Sequence, residues 1–111
     1  MSMYLTATAT DRELTIHCSG GLDICTGRHL PKILNRLYAQ RLDRVTLDLA
    51  DVDFCDCAGL SALLDVHHLI TDFGSEPMFI GATAAVRRLI RTAEYEWLFS
   101  TQDPLVRPAA A

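Results

Sequence analysis

Lysine is nearly absent from this 111-residue chain: Lys32 stands alone, and arginine supplies the other bases. The 10 bases face 14 acids, for a formal net charge of −4. A surface that grips nucleic-acid phosphates carries the opposite balance, so no nucleic-acid partner is expected. Long apolar runs are missing too. None approaches the ~18 residues of a membrane-spanning helix, so no direct insertion into a membrane is expected. Residues 1–10 lack a basic segment followed by an apolar stretch, so no secretion signal is expected and the reading is cytoplasmic. Cysteine occurs at Cys18, Cys25, Cys55 and Cys57, but in no C-x2-4-C pair, which argues against structural zinc. In a reducing compartment these are free thiols, mostly buried as small hydrophobes. Gly20-Gly21 has neither of the glycine spacings that cradle phosphates, and no cofactor is expected.

What is present is a composition half apolar and 22% charged, that of one folded domain. The domain is expected over residues 1–101. A disordered tail over 102–111 is expected from Pro104, Pro108 and the terminal alanines. Tyr4 to Ala9 and Glu13 to Cys18 alternate around Asp11-Arg12 and predict a β-hairpin, ended by Ser19-Gly20-Gly21. Leu30, Ile33, Leu34, Leu37 and Tyr38 recur at helical spacing and predict a helix over about 27–41 with Thr26 as its N-cap. Pro31 predicts a later start or an irregular first turn. Val45, Leu47 and Leu49 predict a strand over about 44–50, followed by an acidic loop to Asp56. A second helix follows over about 57–73, stopped by Gly74. Met78-Phe79-Ile80 reads as a strand, Thr83 as the cap of a helix over about 84–94, and Trp97-Leu98-Phe99 as a last apolar piece. Strands alternating with helices predict parallel pairing, and the opening hairpin adds an antiparallel pair. The class is therefore α/β, with a mixed four- to five-stranded sheet and covering helices.

Chemistry concentrates around Asp51-Val52-Asp53-Phe54-Cys55-Asp56-Cys57-Ala58-Gly59. Asp56 is placed to cap the helix that follows, and Gly59 permits close approach of a strand or of a partner. The carboxylates of Asp23, Asp51, Asp53 and Asp56 serve capping and loop hydrogen bonds, charge complementarity to a basic partner, or a metal. His67 shares a face with Leu60, Leu63 and Leu64 and reads as a structural histidine, with His68 in solvent. His17 and His29 are too scattered in sequence to be joined to them. Arg87, Arg88 and Arg91 form a stripe that is either solvated or meets an anionic patch.

Two motifs at the right separation carry a family resemblance. The first is Gly20-Gly21-Leu22-Asp23, with Gly21 where the pattern G-E-L-D has an acid. The second runs from Leu47-Asp48-Leu49-Ala50 through Val52-Asp53-Phe54-Cys55-Asp56-Cys57-Ala58-Gly59-Leu60. Together with Gly81 and Val86-Arg87-Arg88-Leu89, they resemble the STAS family, named for sulfate transporters and anti-sigma factor antagonists, over about residues 3–100. The resemblance implies a STAS-like fold and no enzymatic chemistry. It implies a partner of histidine-kinase-like ATPase fold, an anti-sigma factor that binds the antagonist and phosphorylates the second small residue of D-S-S/T-G. That position is Ala58, preceded by Cys57, so the acceptor hydroxyl is missing. Three readings follow. The chain is a constitutively active antagonist, or it is regulated through Cys55 and Cys57. Alternatively, it belongs to another assembly, such as the cytosolic subunit of an ABC-type lipid or organic-anion transport system. The expected contact surface comprises Asp23, Asp56, Cys57, Ala58, Gly59, Leu60, Ser61 and Leu64. Ser61 carries little weight as a substitute acceptor.

Overall fold

The computed structural model describes residues 3–37, 41–95 and 97. Strand β1 (Met3–Thr10) pairs antiparallel with β2 (Glu13–Leu22), Met3 opposite Gly20 and Thr10 opposite Glu13. The two-residue connection closes because Asp11 takes φ 51°, a left-handed conformation that a short polar side chain tolerates.

Strand β2 does not stop at its glycines. It runs on to Leu22 beside β3 (Arg44–Cys55), which in turn absorbs most of the expected acidic loop. The pairing is parallel and shifts register twice. His17 faces Asp48 while Ser19 faces Asp51, and Gly20 faces Val52 while Gly21 faces Phe54. Each shift places one extra residue on β3, so both are bulges of that strand. Burial follows them: Leu47 and Leu49 point inward, Ala50 and Asp51 are both exposed, Val52 returns to the core, and Asp53 and Phe54 are exposed again. Simple alternation from Val45 to Leu49 could not anticipate a strand that changes phase twice.

A single helix over 27–41 is replaced by two segments, α1 (Ile24–Gly27) and α2 (His29–Leu37). Thr26 is not the cap. Asp23 is, and Thr26 is the third helical residue, closing a capping box back onto Asp23. Pro31 lies in the first turn of α2, where an N–H has no intrahelical acceptor to lose. Of the two outcomes expected from Pro31, a later start or an irregular first turn, α2 shows the later start, at His29 rather than about 27.

Helix α3 (Cys57–Asp72) leads from β3 to β4 (Glu76–Ile80), and α4 (Ala84–Thr92) closes the described fold. Phe73 caps α3, and Gly74 follows at φ 85°. Ser75 N–H donates to Ile70 O at 3.1 Å and Gly74 N–H to Thr71 O at 2.9 Å, the paired bonds of a Schellman ending. The sheet order is β1-β2-β3-β4, with only the first pair antiparallel. The helices pack on one face. Leu14, Ile16, Cys18, Val45, Leu47, Leu49 and Phe79 from the strands meet Leu34, Leu63, Val66, Ile70, Val86 and Ile90 from the helices.

The other face carries cross-strand polar pairs. Arg44 lies 3.6 Å from Glu13 on β2 and 3.3 Å from Glu76 on β4. These pairs are exposed and add little stability individually. The final strand or helix expected at Trp97-Leu98-Phe99 and the tail over 102–111 fall outside the described residues, apart from Trp97.

Candidate functional site

Four element ends converge at one pole: the end of β2, the start of α1, the end of β3 and the start of α3. Backbone bonding joins them, since Asp56 N–H donates to Leu22 O at 3.3 Å. Asp56 Oδ1 accepts from Gly59 N–H at 2.8 Å, capping α3 as its position suggested. Asp23 Oδ1 accepts from the N–H groups of Cys25 and Thr26, each at 2.9 Å. The Thr26 hydroxyl donates to Gly21 O at 2.7 Å. Those bonds from Thr26 and Cys25 favour the charged Asp23 carboxylate and hold its pKa below the ordinary value.

Gly59 serves the molecule's own packing. A Cβ there would lie 2.1 Å from Leu22 O, so the first turn of α3 rests directly on the last residue of β2. Leu60 is likewise in the core, 4% exposed. These two residues were expected at the contact surface; both are buried in the chain's own packing instead. Of the rest of the expected surface, Cys57 and Ser61 are exposed, and Asp23, Asp56, Ala58 and Leu64 are half-buried.

Ala58 and Ser61 line one wall of an open groove of about 490 Å³ between α3 and the α1–α2 segment. Asp65 continues that wall, while Asp23, Ile24, Arg28 and Lys32 stand among the residues of the groove. The groove is therefore of mixed charge, with carboxylates and cations both in reach. Ile24, 56% exposed, and Phe54, 40% exposed, add apolar surface at the same pole. Exposed apolar side chains beside charges of both signs suit a protein surface.

The four thiols divide. Burial is the main cause that pushes Cys18 and Cys55 up to about 12, with the nearby Asp48 and Asp56 charges adding to it respectively. Such thiols stay protonated and unreactive at neutral pH. Cys25 and Cys57 are exposed, so the expectation of mostly buried thiols holds for only part of the set.

Asp51 has a partner that sequence spacing did not reveal. The imidazole of His17 bridges the first bulge, with Nδ1 3.1 Å from Asp48 Oδ2 and Nε2 2.7 Å from Asp51 Oδ2. The hydrogen bond to Asp51, then that to Asp48, raises the His17 pKa. Alternation places His17 on the outer face of β2, but only the parallel register sets it against Asp48. His67 behaves as expected of a half-buried structural histidine. It packs 4.9 Å from the Trp97 ring and 6.3 Å from Phe79, and desolvation, then His68, lowers its pKa. Among the described residues, no group of histidines, cysteines and carboxylates could hold a metal ion.

A model of the STAS domain matches residues 4–105. Among solved structures, an anti-sigma factor antagonist from Mycobacterium paratuberculosis superposes with TM-score 0.75 at 20% identity, covering 88% of this chain and 83% of that one. The anti-sigma factor antagonist SpoIIAA in its unphosphorylated form gives TM-score 0.72 at 13% identity, over 87% of this chain and 86% of that one. The Bacillus cell fate determinant SpoIIAA in its phosphorylated form gives 0.65 at 12% identity, over 87% and 89%. Identities this low establish a common fold and no more. The family match, however, covers both motifs and every described strand from Tyr4 onward, and by it the chain belongs to the STAS domain family.

Proposed function

We propose that this protein is an anti-sigma factor antagonist: a cytoplasmic, non-enzymatic module whose groove between α3 and α1–α2 docks an anti-sigma factor of histidine-kinase-like fold. The supporting observation is the position of Ala58. It lines the groove two residues beyond the capping Asp56, at the place where the family pattern carries a phosphorylatable hydroxyl. A phosphoryl group there would add about −1.5 to −2 charges beside Asp56 and Asp23, and repulsion and desolvation would expel the partner. A methyl group removes that route, so the chain remains binding-competent in the presence of kinase and ATP. The structural neighbours support this reading, since SpoIIAA is known in unphosphorylated and phosphorylated forms. No described helix is long and apolar enough to cross a membrane.

The test uses the kinase-type anti-sigma factor of the native host. The wild-type chain binds it and gains no mass on incubation with ATP. Ala58→Ser gains one phosphoryl group and then releases the partner. A phosphoryl group on wild-type residues 57–61 overturns the reading. So does capture of a transporter's nucleotide-binding subunit with no affinity for any anti-sigma factor.

A further inference from the structure

The two edges of the sheet are built differently. Strand β4 is short, begins at Glu76 and carries Pro77, and charge, proline and brevity all discourage pairing with another chain. Strand β1 has none of these devices. Met3–Thr10 contains no charged residue and no proline, and its pairing with β2 runs without a register break. No described strand lies on its outer side. Among the described residues its outward N–H and C=O groups have no strand to pair with. The side chains from Thr6 to Thr10 are exposed, and Tyr4 is 70% exposed.

We propose that β1 pairs antiparallel with β1 of a second copy of this chain, so that a two-fold axis joins two four-stranded sheets into one. Charge selects the occupant. An isologous pair sets the strand against itself, so a run of one charge along it would repel its copy. This chain carries −4 overall, yet the strip is neutral. Pattern points the same way. An axis through Ala7 sets Thr6 against Thr8, Leu5 against Ala9 and Tyr4 against Thr10. Both threonine rows then share the open face, and both helix layers share the other. The alanines of the incoming strand lie beside an apolar groove of about 460 Å³ whose lining includes Met3, Leu5 and Ile33.

One strand pair forms a small interface, so association in the range of about 1–100 μM is expected. Sedimentation equilibrium from about 1 μM to about 1 mM measures it. The mass rises with concentration toward twice that of the monomer, and hydrogen exchange of β1 amides slows over the same range. The double substitution Thr6→Lys/Thr8→Lys puts cations face to face on exposed positions. It weakens association at least about tenfold. A constant monomer mass across the range overturns the proposal. So does a dimer whose β1 amides exchange at a concentration-independent rate. The exchange measurement uses wild-type protein and decides the matter even where the lysine variant does not fold.

Discussion

At the scale of single residues, His17 has the most specific environment of the four histidines. Its two ring nitrogens contact carboxylates on either side of a β-bulge, so its protonated form is held at both ends. The folded-state pKa is raised above the ordinary histidine value. The stabilisation is therefore fully present below the unfolded pKa and is lost as pH rises through the folded one. Melting temperatures of wild type and His17→Asn between about pH 5 and about pH 9 measure this. The gap is widest at the acid end and narrows with rising pH; a gap of constant size removes the bridge from the account. His67 acts with the opposite sign, because burial favours its neutral form and protonation on acidification opposes folding. Only one of these roles was legible beforehand. The apolar face of α3 announced His67. The partners of His17 lie 31 and 34 residues away, across a parallel pairing whose register no local pattern encodes.

At the scale of elements, the caps were the most readable signals. Asp56 and Thr83 precede helices α3 and α4, and Gly74 follows α3, where local backbone chemistry places them. Less readable were the first helix, because Asp23 and not Thr26 provides the outer cap, and the lengths of β2 and β3, which tertiary pairing sets. The end of α4 departs from the rule that glycine occupies the left-handed residue after a helix. Glu94 takes that place at φ 63°, with its N–H donating to Arg91 O at 3.1 Å and Tyr95 N–H donating to Ile90 O at 2.9 Å. The bonding equals that at Gly74, but a side chain sits in a conformation that costs it about 1 kcal/mol. Glu94→Gly is expected to stabilise the protein by about that amount in urea unfolding, offset in part by the freedom glycine adds to the unfolded chain. A destabilisation above about 1 kcal/mol would mean that the Glu94 side chain holds the helix end in a way the backbone does not reveal.

At the scale of the whole molecule, fold and candidate site share a single tight contact. The sheet ends at Leu22 and α3 begins against that carbonyl, with room for a hydrogen atom and nothing larger at Gly59. The neighbouring approach of α1 to α3 is similarly close, a Cβ on Gly27 falling 2.8 Å from that of Ala62. The sequence motif made Gly59 conspicuous, but it left open whether the glycine admitted a partner or the chain's own strand. Packing decides for the strand. Gly59→Ala is therefore expected to push α3 off β2, costing about 3 kcal/mol and lowering the melting temperature by more than ~10 °C. Because the groove wall bearing Ala58 and Ser61 is the same turn, the displacement also moves the surface proposed for docking. Affinity for the partner should fall even at temperatures where the variant remains folded. Ser61→Ala, on the exposed side of that turn, leaves the packing untouched and separates the two effects. If Gly59→Ala melts like wild type, the helix is not seated on Leu22. If it melts early but binds undiminished, docking lies elsewhere on the molecule.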